Sequence, residues 1–200
     1  AMNHRIEHDS FGEVRVPADA FFGAQTQRAV ENFDLSGEVM PRAFIRALGL
    51  VKAAAAQANR DLGLLAPDIS SAIQDVSMQI SRGELDSHFP VGVFQTGSGT
   101  SSNMNANEVI AHCASRALGR SVHPNDHVNM SQSSNDVVPT AIHVGAALCV
   151  EEALLPGLSV LVRVIEQRAV GLERVIKTGR THLMDAMPVT AAQEARAWAA

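Results

Sequence analysis

Tyrosine is absent from this 200-residue sequence, tryptophan occurs once, and aromatics amount to only 4%. The apolar side consists instead of Ala, Val, Leu, Ile and Met, which favours helices packed on helices over a β-sandwich. Lysine is scarce too: Lys52 and Lys177 are the only two, and arginine supplies the rest of the 16 positive charges. With a net charge of −5 and no Lys/Arg cluster, the chain offers no basic stripe to nucleic acid or an anionic membrane surface. Cysteine is limited to Cys113 and Cys149, in apolar stretches without metal-type spacing. They read as reduced core residues of a cytoplasmic protein. No apolar run reaches the ~18 residues of a membrane span, and "AMNHRIEHD" lacks the hydrophobic region of a signal peptide. Ala1 before Met2 reads as an expression remnant.

What is present is helical periodicity broken by polar loops. A hydrophobic content of 46% is enough for a real core. Residues 5–40 are irregular and fit a short strand pair followed by coil. "PRAFIRALGLVKAAAAQANRDLG" predicts a helix starting at Pro41 and stopping at Gly63. "APDISSAIQDVSMQISRG" predicts a second helix ending at Gly83, and a third runs from about Ser102 to Leu118, closed by Gly119. "VVPTAIHVGAALCVEEALLPGLSVLVRVIEQRAVGLERV" is one long helical pattern, kinked if anywhere at Pro156. Such length belongs to a helical bundle, expected here to be shared between subunits. The chain divides into an amino-terminal domain, 1–135, and the beginning of a bundle domain, 136–200. Its last stretch, "PVTAAQEARAWAA", is strong helix sequence with no stop signal before Ala200, so a longer protein is expected.

Three polar loops hold the candidate chemistry. In "QTGSGTSSNMNANE" a phosphate loop is excluded because no lysine follows the glycines, and a dinucleotide turn because Ser102 occupies the third glycine position. Two readings remain: Gly97 and Gly99 admit a ligand beside Ser98, Thr100, Ser101, Asn103 and a helix amino terminus, or the loop is simply an N-capped turn. The second loop, "HPNDHVNMSQSSND", begins with His123, Asn125, Asp126 and His127. A metal there is disfavoured, since Pro124 opposes a helix across the histidines and no H-E-x-x-H follows. Ser131 to Asp136 then place six hydrogen-bonding residues before a helix, more than capping requires. The third loop, "TGRTHLMDAMP", holds His182, either a proton-transfer residue or a structural one. Neutral donors beside helix ends suit a small di- or tricarboxylate.

These same strings carry a resemblance. "DSFGEVRVPADAFFGAQTQRAVENF", "TGSGTSSNMNANEV", "VHPNDHVNMSQSSNDVVPTAIHV" and "GRTHLMDAMPVT" occur in the order found in class II fumarases of the fumarase/aspartase superfamily. The chain resembles that family along nearly its whole length, with aspartase as near neighbour; the alternatives are an aspartase-type ammonia-lyase, or a non-catalytic helical assembly module whose polar loops are only capped turns. The resemblance implies a mainly α fold: an amino-terminal helical domain with a short β pair, then the start of a long-helix bundle. It further implies a cytoplasmic homotetramer whose active sites are each built from three subunits. The implied reaction is reversible hydration of fumarate to L-malate without metal or other cofactor.

Carried over by position, Ser98 and Thr100 would contact a substrate carboxylate, with Gly99 permitting the approach. Ser133, Ser134, Asn135 and Thr181 would line the same site, and His182 would be the catalytic histidine. Arg120, His123, Pro124, Asn125 and Asp126 match the family's second dicarboxylate site; His127 stands where many fumarases have an acidic residue. The family's mobile segment, G-S-S-x-M-P-x-K-x-N, is not found in these residues, nor is the acidic partner of the catalytic histidine. That segment supplies the base serine and a substrate-binding lysine. The 200-residue chain alone is therefore expected to be inactive.

Overall fold

The structure is a computed structural model that describes residues 3–200; Ala1, read above as an expression remnant, and Met2 lie outside the described residues. The chain forms two compact units, one ending at Ala146 and the other spanning Ala147–Ala200.

The first unit opens with the expected strand pair. β1 (His4–Asp9) runs antiparallel to β2 (Gly12–Pro17), with His4 opposite Pro17 and Asp9 opposite Gly12. The coil expected next contains a helix, α1 (Ala24–Asn32). Its amino-terminal residue Gly23 has no side chain with which to cap the helix, so local sequence gives no start signal. The cap arrives from far along the chain. Buried Glu108 accepts hydrogen bonds from the backbone N–H of Gly23 (2.9 Å), Gln25 (2.9 Å) and Thr26 (3.0 Å), and from the Thr26 hydroxyl (2.5 Å). Four donors and a helix dipole give this carboxylate its partners without any cation.

α2 (Arg42–Asp61), α3 (Pro67–Arg82) and α4 (Thr100–Leu118) follow the predicted pattern closely. Pro41 and Pro67 stand at helix starts, and Gly83 and Gly119 end α3 and α4 in left-handed conformation. Leu48, Ile73, Ile80, Val109 and Ile110 from these helices are fully buried and form the centre of the core. α2 and α3 approach closely at Gly49, where a Cβ would lie 2.7 Å from the Ser77 carbonyl oxygen. Cys113 is half-buried against this core, but Cys149 is exposed, which corrects its assignment as a core residue.

Helix is continuous from Ser134 to Val170: α5 (Ser134–Cys149), a π-helical turn (Val150–Leu154) and α6 (Leu155–Val170). The disturbance expected at Pro156 appears as this π turn, in which the Leu155 N–H bonds to the Val150 carbonyl. Proline has no N–H to return to the carbonyl four residues back, and widening the preceding turn absorbs the defect.

In the second unit the third polar interruption is a hairpin rather than a loop. β3 (Ile176–Thr181) pairs antiparallel with β4 (Met184–Thr190), with an irregular register between Thr178 and Arg180. α7 (Ala191–Ala199) follows, opened by a capping box of Thr190 and Gln193. Arg196 ties it to Glu166 at 3.2 Å and Glu173 at 3.0 Å. The fold is mainly α with short strand pairs, as expected. Among the described residues no helix is long and apolar enough to cross a membrane.

Candidate functional site

The first loop ends in the amino terminus of α4, which begins at Thr100 rather than near Ser102. Capping falls to Gln95: its Oε1 accepts from the Ser102 N–H at 3.0 Å, and its Nε2 donates to the Gly92 carbonyl (2.9 Å) and the Ser102 hydroxyl (2.8 Å). Ser98 and Thr100 take no part in this cap. Their hydroxyls meet each other at 2.8 Å, with Ser98 exposed and Thr100 half-buried. The two sequence readings therefore separate by residue: Gln95 satisfies backbone and side-chain groups of the turn, and the Ser98–Thr100 pair is left at its surface. Gly99 is held at φ +69°, and a Cβ there would come within 2.8 Å of Val138 Cγ1 on α5. Its small size is thus also a packing requirement between this loop and α5. Gly97 has open space around it.

The second loop is joined to the first. The Asn103 side-chain amide on α4 donates to Ser134 Oγ at 2.9 Å and to Asn129 Oδ1 at 3.2 Å. Ser133 Oγ accepts from the Asn135 N–H at 3.3 Å, a local turn at the start of α5. Behind them lies Lys52 of α2, fully buried, donating to Asn129 Oδ1 at 3.0 Å and Gln132 Oε1 at 2.9 Å. Burial pulls its pKa down to about 7. The start of α4, which follows Ser98 and Gly99, is thus joined through Asn103 to Ser134 at the start of α5, and is buttressed by Lys52, which the sequence reading did not assign.

Those groups left traces in the sequence. Lys52 continues the buried stripe Ile45, Leu48, Ala56 of α2, so helical spacing alone places a charge on the core face. Asn103, Asn105 and Asn107 are poor helix formers inside a helix, and all are buried.

The residues assigned to a second dicarboxylate site are only partly assembled. A π-helical turn, Pro124–Val128, crosses the segment where Pro124 was taken to oppose a helix, with proline at its first position, where no N–H is needed. His123 Nδ1 accepts from the Asp126 N–H at 3.1 Å, and His127 Nδ1 accepts from the His123 N–H at 2.8 Å. His123, Pro124 and Asn125 line a cleft of about 620 Å³ together with Arg5, His112 and Arg116. Burial first, then the charges of Arg5 and Arg116, lowers the pKa of His112. Arg120 instead pairs with Asp68, whose carboxyl it holds below the ordinary range. Among the described residues no three His, Cys, Asp or Glu side chains come together as metal ligands.

In the second unit, Thr181 ends β3, and His182 with Leu183 forms the two-residue turn of the hairpin. Both turn residues have positive φ, 51° and 60°, a conformation for which asparagine and glycine are the usual choices. Leu183 is completely exposed. His182, at the tip of the hairpin, is exposed as well.

The profile of a family described as "Lyase" matches residues 12–200. Among curated relatives, a "Fumarate hydratase class II" of Xylella fastidiosa is 60% identical over 197 residues, covering 98% of this chain and 42% of that protein. One of Halobacterium salinarum is 56% identical over 197 residues, covering 96% of this chain and 42% of its own. The crystal structure of recombinant class II fumarase from Schistosoma mansoni superposes with a TM-score of 0.93 at 38% identity, over 98% of this chain and 43% of that one. A Brucella melitensis structure described as fumarate lyase:delta crystallin gives 0.91 at 47% identity, over 98% and 47%. The chain thus spans less than half the length of the relatives it matches.

Proposed function

The chain belongs to the lyase family, and from that premise we propose that it is the amino-terminal part of a class II fumarate hydratase interconverting fumarate and L-malate. One observation carries the reading onto this molecule: the Ser98–Thr100 hydroxyl pair, left over from capping, stands at the start of α4, the helix whose Asn103 donates to Ser134. Three hydroxyls and a helix amino terminus make a neutral donor set for a carboxylate.

In the direction of dehydration, a base removes the C3 proton of malate. The electron pair spreads into the adjacent carboxylate as an aci-carboxylate, and an acid protonates the C2 hydroxyl as it leaves as water. Negative charge thus grows on a carboxylate in the intermediate, and preorganised donors stabilise that growth. Ser98, Thr100, Ser133, Ser134, Asn135 and Thr181 bind substrate in this reading, and His182 is the catalytic histidine. No metal or other cofactor takes part. The assembly is a cytoplasmic homotetramer, and the 200-residue chain by itself is inactive.

Absorbance of the conjugated product tests this directly in the full-length protein. L-Malate should yield fumarate and L-aspartate should not, and the 200-residue chain should give neither. Aspartate turnover without malate turnover would move the assignment to an ammonia-lyase, and no turnover of either would overturn it. His182→Asn should lower kcat by several orders of magnitude at unchanged subunit association; an unchanged rate removes His182 from its role.

A further inference from the structure

Lys52 is a buried amino group for which the reaction as drawn has no task. It has no exposed surface, and its two hydrogen-bond partners are neutral amides. The displacement of its pKa comes from burial, with no neighbouring charge contributing. A buried ammonium without a carboxylate partner is expensive to keep, and a methionine of similar shape would fill the same space.

The hydrogen bonds around it have a fixed direction. The Asn129 side-chain nitrogen donates to the Gln132 carbonyl at 3.3 Å, and the Gln132 side-chain nitrogen donates to the carbonyls of Val128 (2.9 Å) and Met130 (3.2 Å). With both nitrogens held by backbone carbonyls, both amide oxygens turn toward Lys52, which donates to each. Asn129 Oδ1 also accepts from Asn103, whose amide donates onward to Ser134 Oγ at 2.9 Å. A hydroxyl that accepts from behind has its own hydrogen left to give. Donation converges on Asn129 Oδ1, which accepts from both Lys52 and Asn103; what passes from the buried lysine to the rim of the candidate site is the orientation of these amides.

We propose that Lys52 is a positioning residue: through Asn129 and Asn103 it fixes the Ser134 hydroxyl as a hydrogen-bond donor toward a carboxylate substrate. The proposal rests on the reading of Ser134 as a substrate-binding residue. The competing explanation is a structural staple, in which Lys52 only fastens residues 129–132 to α2. The two differ in whether the effect passes through Ser134.

A double-mutant cycle in the full-length protein decides between them. Lys52→Met should lower kcat/KM for L-malate about tenfold to a hundredfold, mainly through KM, the loss expected for a misdirected donor to a charged group. Ser134→Ala should cost a similar factor. If Lys52 acts through Ser134, the double variant is no worse than Ser134→Ala alone within about threefold; if the factors multiply, the proposal is overturned. Asn103→Leu breaks the same path with Lys52 intact, and should show the same non-additivity with Ser134→Ala. It carries the test should Lys52→Met fail to fold, as read by circular dichroism and light scattering. Unchanged kcat/KM in either single variant also overturns the proposal. Absence of malate turnover in the unsubstituted full-length protein would instead bring down the functional reading itself, and shows in the parent rather than in the variants.

Discussion

A methyl group added at Gly99 would meet Val138 Cγ1 at 2.8 Å, on a backbone already at φ +69°. Left-handed backbone costs a non-glycine residue about 1–2 kcal/mol, and overpacking about 1–3 kcal/mol more. Gly99→Ala should therefore lower unfolding stability by about 2–5 kcal/mol in urea titrations, and adding Val138→Ala should return part of the loss. If Gly99→Ala is neutral, the packing explanation is wrong. Lys52 gives a second prediction at this scale. The free side chain keeps its proton to 10.5, whereas the buried one releases it at about 7. Between those values the unfolded chain binds more protons, so stability rises with pH from about 7 toward 10.5 and the contribution is lost again on acidification. Thermal melts across that window should show the rise in the parent and a flatter profile in Lys52→Met.

Elements differ in where their instructions are written. α2, α3 and α4 could be bounded from sequence because their apolar stripes and their punctuation (Pro41, Pro67, Gly83, Gly119) are local. α1 could not, because its cap is Glu108, 82 residues beyond Thr26. Glu108→Gln keeps the shape but puts an amide donor among backbone donors. It should cost about 2–3 kcal/mol, the scale of charge-assisted bonds, with amide exchange accelerating first across 24–29. The β3–β4 hairpin was read as a loop for a different reason. Its turn is His182–Leu183, without the asparagine and glycine that announce a two-residue hairpin. Leu183→Gly should raise the stability of this hairpin by up to about 1 kcal/mol, since the exposed leucine loses no packing and the left-handed strain is relieved. Destabilisation of the hairpin would show that Leu183 is held there by something else. The hydroxyls of the candidate site were legible as a polar run, but Lys52, Gln95 and Asn103 act across the chain, and their pairing is a property of the fold.

For the whole molecule, α6 raises the question of what covers it. Leu155, Leu158, Val160, Leu161, Val162 and Val164 are all exposed, around more than one side of the helix. A helix apolar on every side is normally buried, which agrees with the proposed bundle between subunits. The 200-residue chain should therefore self-associate in sedimentation or light scattering, and Leu158→Glu with Leu161→Glu should lower its mass. A monomer at every concentration would sink that expectation. The remote cap of α1 also sets an order in time. At a synthesis rate of about 5–20 residues per second, Glu108 leaves the ribosome roughly 4–16 seconds after Thr26. Until then the amino terminus of α1 has exposed N–H groups and no carboxylate to receive them. The first helix in the chain is thus not the first to be secured: it waits, as nascent polypeptide, for α4 to be made.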